Sequence, residues 1–215
     1  TYAYLSIGGG GKVNYQSTNG SAIQSISTII SNQWTHIAVA FTSTQAKIYI
    51  NGILDKTVSG SFSLPNDTTV TATTIGAILG DGNGQYFTGS IDEFRIWNIA
   101  RTAEQIAGSM NCELQGTETG LVSYYQFNQG IDQANNAGVT TLNATIGSNG
   151  TLTNFTLTGT TSNWLAGSPV TTGSVVPENA SATSPIVYNQ GDTASPLTAT
   201  TGTNGTGLMW YTTAT

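Results

Sequence analysis

The stretch Lys47-Ile48-Tyr49-Ile50-Asn51-Gly52-Ile53-Leu54-Asp55-Lys56-Thr57-Val58 constrains this chain more than any other. Two β-forming runs flank Asn-Gly, the pair that accepts both positive-φ positions of a type I′ turn. The twist of that turn matches the strands it joins, so the stretch predicts an antiparallel hairpin. Period-2 alternation recurs on either side of it. Ile37, Val39 and Phe41 share one face of a strand predicted over 35–41, which places His36 mid-strand on the other face. Further strands are predicted over 70–75, 91–97 and 121–127. In 91–97, Ile91 and Trp97 lie on one side and Phe94 and Ile96 on the other, which predicts an interior strand. Leu152, Phe155 and Leu157 mark one more extended segment, and Gly8 to Gly11 a hairpin turn.

One helix interrupts this pattern. Thr102 and Gln105 have capping-box spacing, and Ala103, Ile106, Ala107 and Met110 recur at helical intervals. Gly108 limits it to about two turns.

Composition then narrows the function. The chain has 215 residues, of which 7% are charged, with five Lys/Arg against eleven Asp/Glu and a net charge of -6. Five scattered cations make no basic footprint, which excludes nucleic acid and a basic membrane-surface helix. No apolar run approaches the ~20 residues of a membrane-spanning helix. The 38% apolar content is enough to build a core. The lone Cys112 reads as a small half-buried residue or as the site of an intermolecular pairing, and with His36 it is too little for zinc. The ends read as those of a fragment of a longer chain, and the low charge with abundant Thr, Asn and Gly suits an extracellular protein.

Few residues invite chemistry. His36 reads as structural, since no Ser stands in a G-x-S-x-G setting. Asp92 and Glu93 are adjacent on a predicted strand, so they would face opposite ways and form no acid/base dyad. The Asp81-Gly82-Asn83-Gly84 loop is rich in oxygen and glycine. It reads as a metal-free turn or as a rim calcium site using Asp81 or Asp92 with backbone carbonyls. Tyr86, Tyr2 and Trp34, at loops or loop edges, are candidates for sugar stacking, joined by Asn83 as a polar partner, while core packing is the stronger reading for Trp34, Trp97 and Trp164. Several N-x-S/T sequons, Asn143 among them, follow from the Asn- and Thr-rich composition.

Taken in order, Trp34-Thr35-His36-Ile37-Ala38-Val39-Ala40-Phe41, Ile48-Tyr49-Ile50-Asn51-Gly52, Gly89 to Asn98, the helix from Arg101 and the strand Gly120 to Phe127 resemble the concanavalin A-like, laminin-G-type jelly roll. The resemblance covers residues 1 to 127 with a family-like tail to Trp164, and lacks the family's opening strands. It implies an all-β antiparallel sandwich of two curved sheets with one short helix. Related glucanases carry a Glu-x-Asp-x-x-Glu strand. Here Ser90 and Phe94 stand around Asp92, so catalysis is not implied. Residues 184–215 resemble the immunoglobulin-like repeats of large secreted Bacteroidetes surface proteins, which commonly end in a type IX secretion sorting domain. The expected division is a jelly roll over 1–167 with 128–167 as its C-terminal extension, a linker over 168–184, and the start of a second β-sandwich over 185–215. The function this implies is a non-catalytic binding or adhesion module of a secreted or cell-surface protein. Its partners would be a glycan or a surface protein, alongside other domains of the same chain. The alternatives are a structural spacer and an accessory domain of a secreted glycoside hydrolase.

Overall fold

The computed structural model describes residues 3–17, 21–63, 73–78, 84–175, 181–182 and 198–202. Two three-stranded antiparallel sheets form its first part. One runs β1 (Tyr4–Ile7), β2 (Lys12–Gln16), β3 (Ala22–Thr28); the other runs β4 (Ile37–Phe41), β5 (Gln45–Ile50), β6 (Ile53–Ser59). Gly8 to Gly11 turn the chain between β1 and β2, closed by the Gly8 amide donating to the Lys12 carbonyl at 2.8 Å. The Asn-Gly hairpin forms as predicted. Ile50 pairs with Ile53, and Asn51 and Gly52 take φ of 50° and 77°.

The alternation seen in sequence becomes the core. Val13, Tyr15 and Ile23 from the first sheet meet Ala46 and Ile48 from β5, with Phe62 beyond β6. Val13, Ala46 and Ile48 are wholly excluded from solvent. Burying each such Val or Ile contributes about 1.5–3 kcal/mol relative to leaving it exposed. The rings of Tyr15 and Phe41 stack with centroids 5.2 Å apart.

A bulge joins the two sheets. Between the pairs Lys12–Thr28 and Asn14–Gln24, one residue of β2 faces three of β3. The extra residues swing the amides of Ile26 and Ser27 out of the ladder, and the carboxylate of Asp55 on β6 accepts both, at 2.6 and 2.9 Å. Burial pushes the Asp55 pKa up, but the Ser27 hydroxyl, these two amides and Lys12 outweigh it and hold the carboxyl below its usual range.

Short strands make the remainder. β7 (Ala77–Ile78) pairs with β8 (Gln85–Tyr86), β9 (Phe94–Trp97) with β10 (Leu121–Tyr125), and β11 (Thr141–Leu142) with β12 (Gly150–Thr151). The helix α1 (Ala103–Ser109) lies between β9 and β10 in sequence, with both halves of the predicted capping box made. The Asn51-Gly52 turn packs on it: a Cβ on Gly52 would lie 3.2 Å from Ala107 and 3.0 Å from the Met110 sulfur.

Several elements differ from the sequence reading. Residues 70–72 lie outside the described set, and 73–75 are not strand, because Gly76 at φ 82° and the Thr74 hydroxyl bonded to the Ala77 carbonyl bend the chain there. The strand expected from Ile91 begins at Phe94, since Glu93 adopts φ 53° and breaks the extension. Among the described residues β9 pairs with β10 alone. Its apolar side chains are used otherwise: Phe94 packs on Tyr125, and Trp97 lies under the Arg101 guanidinium at 4.1 Å. The segment 152–157 is not a strand, because Asn154 and Leu157 both take positive φ. His36 precedes β4 rather than lying within it. Its backbone N–H donates to Asn51 Oδ1 at 2.9 Å, and its carbonyl accepts the Asn51 amide at 2.8 Å.

Residues 168–175, read as the start of a linker, are strapped to the sandwich. The Ser168 hydroxyl donates to Asp92, the Gly173 amide donates to Glu113 at 2.6 Å, and the Glu113 amide donates to the Ser174 carbonyl at 2.6 Å. In the region expected to open a second sandwich, β13 (Ser181–Ala182) pairs antiparallel with β14 (Ala199–Thr200); most of 185–215 lies outside the described residues.

Candidate functional site

Of the residues singled out from sequence, Tyr2, Asp81 and Asn83 lie outside the described set. Tyr86 sits on β8 with 71% of its surface exposed, and the neighbouring Phe87 is 42% exposed. Pairing of Tyr86 with Ala77, and the Phe87 amide donating to the Gly76 carbonyl at 2.8 Å, fix the backbone that presents these two rings. Trp34, read from sequence as core, is 40% exposed, since it falls in the turn before β4.

Asp92 is remote from solvent chemistry of that kind. It is half-buried and accepts the Ser168 hydroxyl. Burial pushes its pKa up, the nearby Glu113 charge adds to the rise, and the Ser168 hydroxyl and Glu93 amide oppose it. Asp92 and Glu93 precede β9 and Glu93 is left-handed, so strand alternation does not set their directions. What sets their roles is the set of partners each one has.

Those partners form a buried polar brace. Glu93 is ion-paired to Arg95 at 2.5 Å and accepts the Tyr124 hydroxyl at 2.8 Å. Tyr124, wholly buried, also accepts the Leu114 amide at 3.0 Å. Arg95 donates to the carbonyls of Ser109 and Cys112 and stands 5.6 Å from the centre of the Tyr124 ring. Glu113, 5% exposed, accepts from Asn128 and from the Gly173 amide, one bond to each oxygen. Burial raises the Glu93 pKa despite Arg95 and Tyr124, and raises that of Tyr124 too. A buried carboxylate is stable only when paired and hydrogen-bonded, and Glu93 and Glu113 have both oxygens occupied. The cluster therefore ties α1, β9, β10 and the strap together. Among the described residues no three His, Cys, Asp or Glu side chains gather as a metal site requires, and no helix is long and apolar enough to cross a membrane.

Sequence reasoning missed a cleft of about 210 Å³ beyond β10, lined by Gln126, Phe127, Asn128, Gln129, Asn143, Ala144 and Thr145. Its walls are two chain segments, 126–129 and 143–145, bridged by Gln129, whose amide donates to the Thr141 carbonyl at 2.9 Å and accepts the Asn143 amide at 2.5 Å. Four side-chain amides within the two short segments were the available signal, hidden in a chain rich in Asn and Gln throughout.

The family model described as "Concanavalin A-like lectin/glucanases superfamily" matches residues 2–107. The fold is a concanavalin A-like β-sandwich. Among solved structures, the chain is similar to one from Bacteroides ovatus ATCC 8483 described as a "putative carbohydrate binding protein". The match has a TM-score of 0.55 and 20% identity, over 67% of this chain and 42% of that one. The chain thus spans less than half of that protein's length. It also matches an S-layer domain-containing protein from Clostridium thermocellum ATCC 27405 at 27% identity and a TM-score of 0.33, over 49% of this chain and 54% of that one. No curated protein matches it. The cleft lies beyond the residues the family model covers.

Proposed function

We propose that this chain is a non-catalytic carbohydrate-binding module of a protein that works outside the cell. The observation that carries the reading is Tyr86, a phenol ring 71% exposed on a backbone fixed by strand pairing, with Phe87 beside it. An exposed aromatic face with a polar tip suits a sugar ring, which offers a C–H face for stacking and hydroxyls at its edge. The concanavalin A-like fold and the Bacteroides ovatus neighbour support the same reading. The superfamily also includes glucanases, but the carboxyls of Asp92, Glu93 and Glu113 are engaged in bonds that hold the structure together. A retaining or inverting hydrolase needs two carboxyl groups facing a substrate across an open site.

The test is retention on insoluble polysaccharides and titration with soluble oligosaccharides, together with a reducing-sugar assay. The expected result is saturable binding to at least one glycan with no product released. Tyr86→Ala should weaken that binding by tenfold or more while leaving the melting temperature unchanged. Absence of binding across the panel overturns the proposal, and released sugar identifies an enzyme instead.

A further inference from the structure

We propose that the cleft between 126–129 and 143–145 is a subsite for a single uncharged sugar residue, with Gln126 and Asn143 as its hydrogen-bonding side chains. This rests on the carbohydrate-binding reading above and places part of the recognition away from Tyr86.

The cleft exists because a strand pairing is interrupted. Tyr124 pairs with Ile146 through its amide at 2.9 Å, and its carbonyl accepts the Thr145 amide at 2.8 Å. Two residues after the end of β10, Phe127 adopts φ 57°. A bulky side chain rarely occupies this left-handed region, and strain of this kind gathers at functional sites. The segments part there and meet again at the Gln129 bridge. The Phe127 ring is held against Trp164, with centroids 6.4 Å apart.

The lining chemistry selects the ligand. No charged side chain lines the cleft, so a uronate, sulfate or phosphate would lose hydration there with no counter-charge in the lining. The amides divide into two groups. Gln129 is used at both ends to hold the walls, and Asn128 is fixed by donating to Glu113 and accepting the Thr172 hydroxyl. Gln126 uses its oxygen to accept the Thr145 hydroxyl at 3.0 Å. Its Nε2, and the whole side-chain amide of Asn143, have no partner among the described residues. A planar amide with a donor and an acceptor side by side matches a pair of neighbouring sugar hydroxyls. Ala144 and Phe127 are the apolar members of the lining. At about 210 Å³ the cleft is smaller than the ~300–1,000 Å³ typical of small-molecule pockets, which suits one ring rather than a chain. Walls already fixed by Gln129, Glu113 and Thr172 need little ordering on binding.

Calorimetric titration with neutral gluco-, xylo-, manno- and chito-oligosaccharides and with the matching uronic acid oligomers tests this, using the whole chain and its Gln126→Ala, Asn143→Ala, double and Tyr86→Ala variants. Each cleft variant should weaken neutral-sugar binding by roughly three- to tenfold, the size of one uncharged hydrogen bond, and the double variant by more. Asn143→Ala removes an exposed side chain with no partner among the described residues, so its melting temperature should match that of the unmodified chain. Full affinity in the double variant, with loss in Tyr86→Ala, overturns the cleft and leaves the carbohydrate reading standing. Tighter binding of the acidic oligomers overturns the uncharged class. No binding of any oligomer to the unmodified chain overturns both.

Discussion

Glu93 and Arg95, two residues apart, are ion-paired at 2.5 Å with side chains only 10% and 9% exposed. The pair sits where β9 begins, and both members also bond to other elements: Glu93 to Tyr124, Arg95 to the carbonyls at the end of α1. Arg95→Met strands a buried carboxylate and should cost about 3–5 kcal/mol in urea unfolding. Glu93→Gln strands the guanidinium and should cost about as much. The double variant should recover a large part of either loss. If the single losses simply add, the two side chains are not coupled.

His36 gives the fold a pH dependence. Burial, and secondarily the charge of Arg95, lower its pKa from 6.5 to about 4. Between those values the unfolded chain binds a proton that the folded chain does not. Stability is therefore complete above about 6.5 and is lost as the pH falls toward about 4, by on the order of 3 kcal/mol. Asp92 and Glu93, whose pKa values burial raises, act with the opposite sign in the same acid range. Subtracting the profile of His36→Gln from that of the unmodified chain isolates the histidine. Identical slopes in the two would show that His36 does not titrate in this way.

The hairpin turn and the helix are one unit. At Gly52 a methyl group meets both a φ of 77° and the close approach of Ala107 and Met110. Gly52→Ala should lower stability by about 1–3 kcal/mol, more than backbone strain alone accounts for. Adding Met110→Ala should relieve part of the loss by opening space near the turn. Thermal melts of the three chains decide the matter.

The helix depends on its cap. Thr102 accepts the Gln105 amide at 3.3 Å, and Gln105 Oε1 accepts the Thr102 amide at 3.0 Å. Thr102→Ala should cost about 1 kcal/mol and Thr102→Ser much less. Equal losses for both would exclude the hydroxyl as the source.

The hairpin at 51–52, the capping box and the antiparallel β architecture were legible because each follows from local residue chemistry. The turn needs two positive-φ positions and Asn-Gly supplies them. What escaped the sequence was set by residues that break a local rule for a distant reason. Glu93 and Phe127 are ordinary strand residues in sequence, yet both take left-handed backbone, and each shortens a predicted strand, Glu93 at its start and Phe127 at its end. The linker reading of 168–175 failed to anticipate its bonds to Asp92 and Glu113, because small polar residues carry no sign of a partner 60 or more positions away. The exposure of Tyr86 follows from its loop-edge position, whereas the amide cleft depends on two segments meeting through Gln129, which no spacing reveals.

The bond between Asp55 and the bulge in β3 bears on how such chains behave when crowded together. Unpaired strand amides are templates on which a neighbouring molecule can add its own strand, and that is a common start of aggregation. The amides of Ile26 and Ser27 are already filled from within, by a charge that would repel an incoming carbonyl. The flanking Ile26 and Ile53 side chains are 64% and 74% exposed, which makes this edge otherwise adhesive. Asp55 thus leaves neither amide free to receive a strand from a second copy.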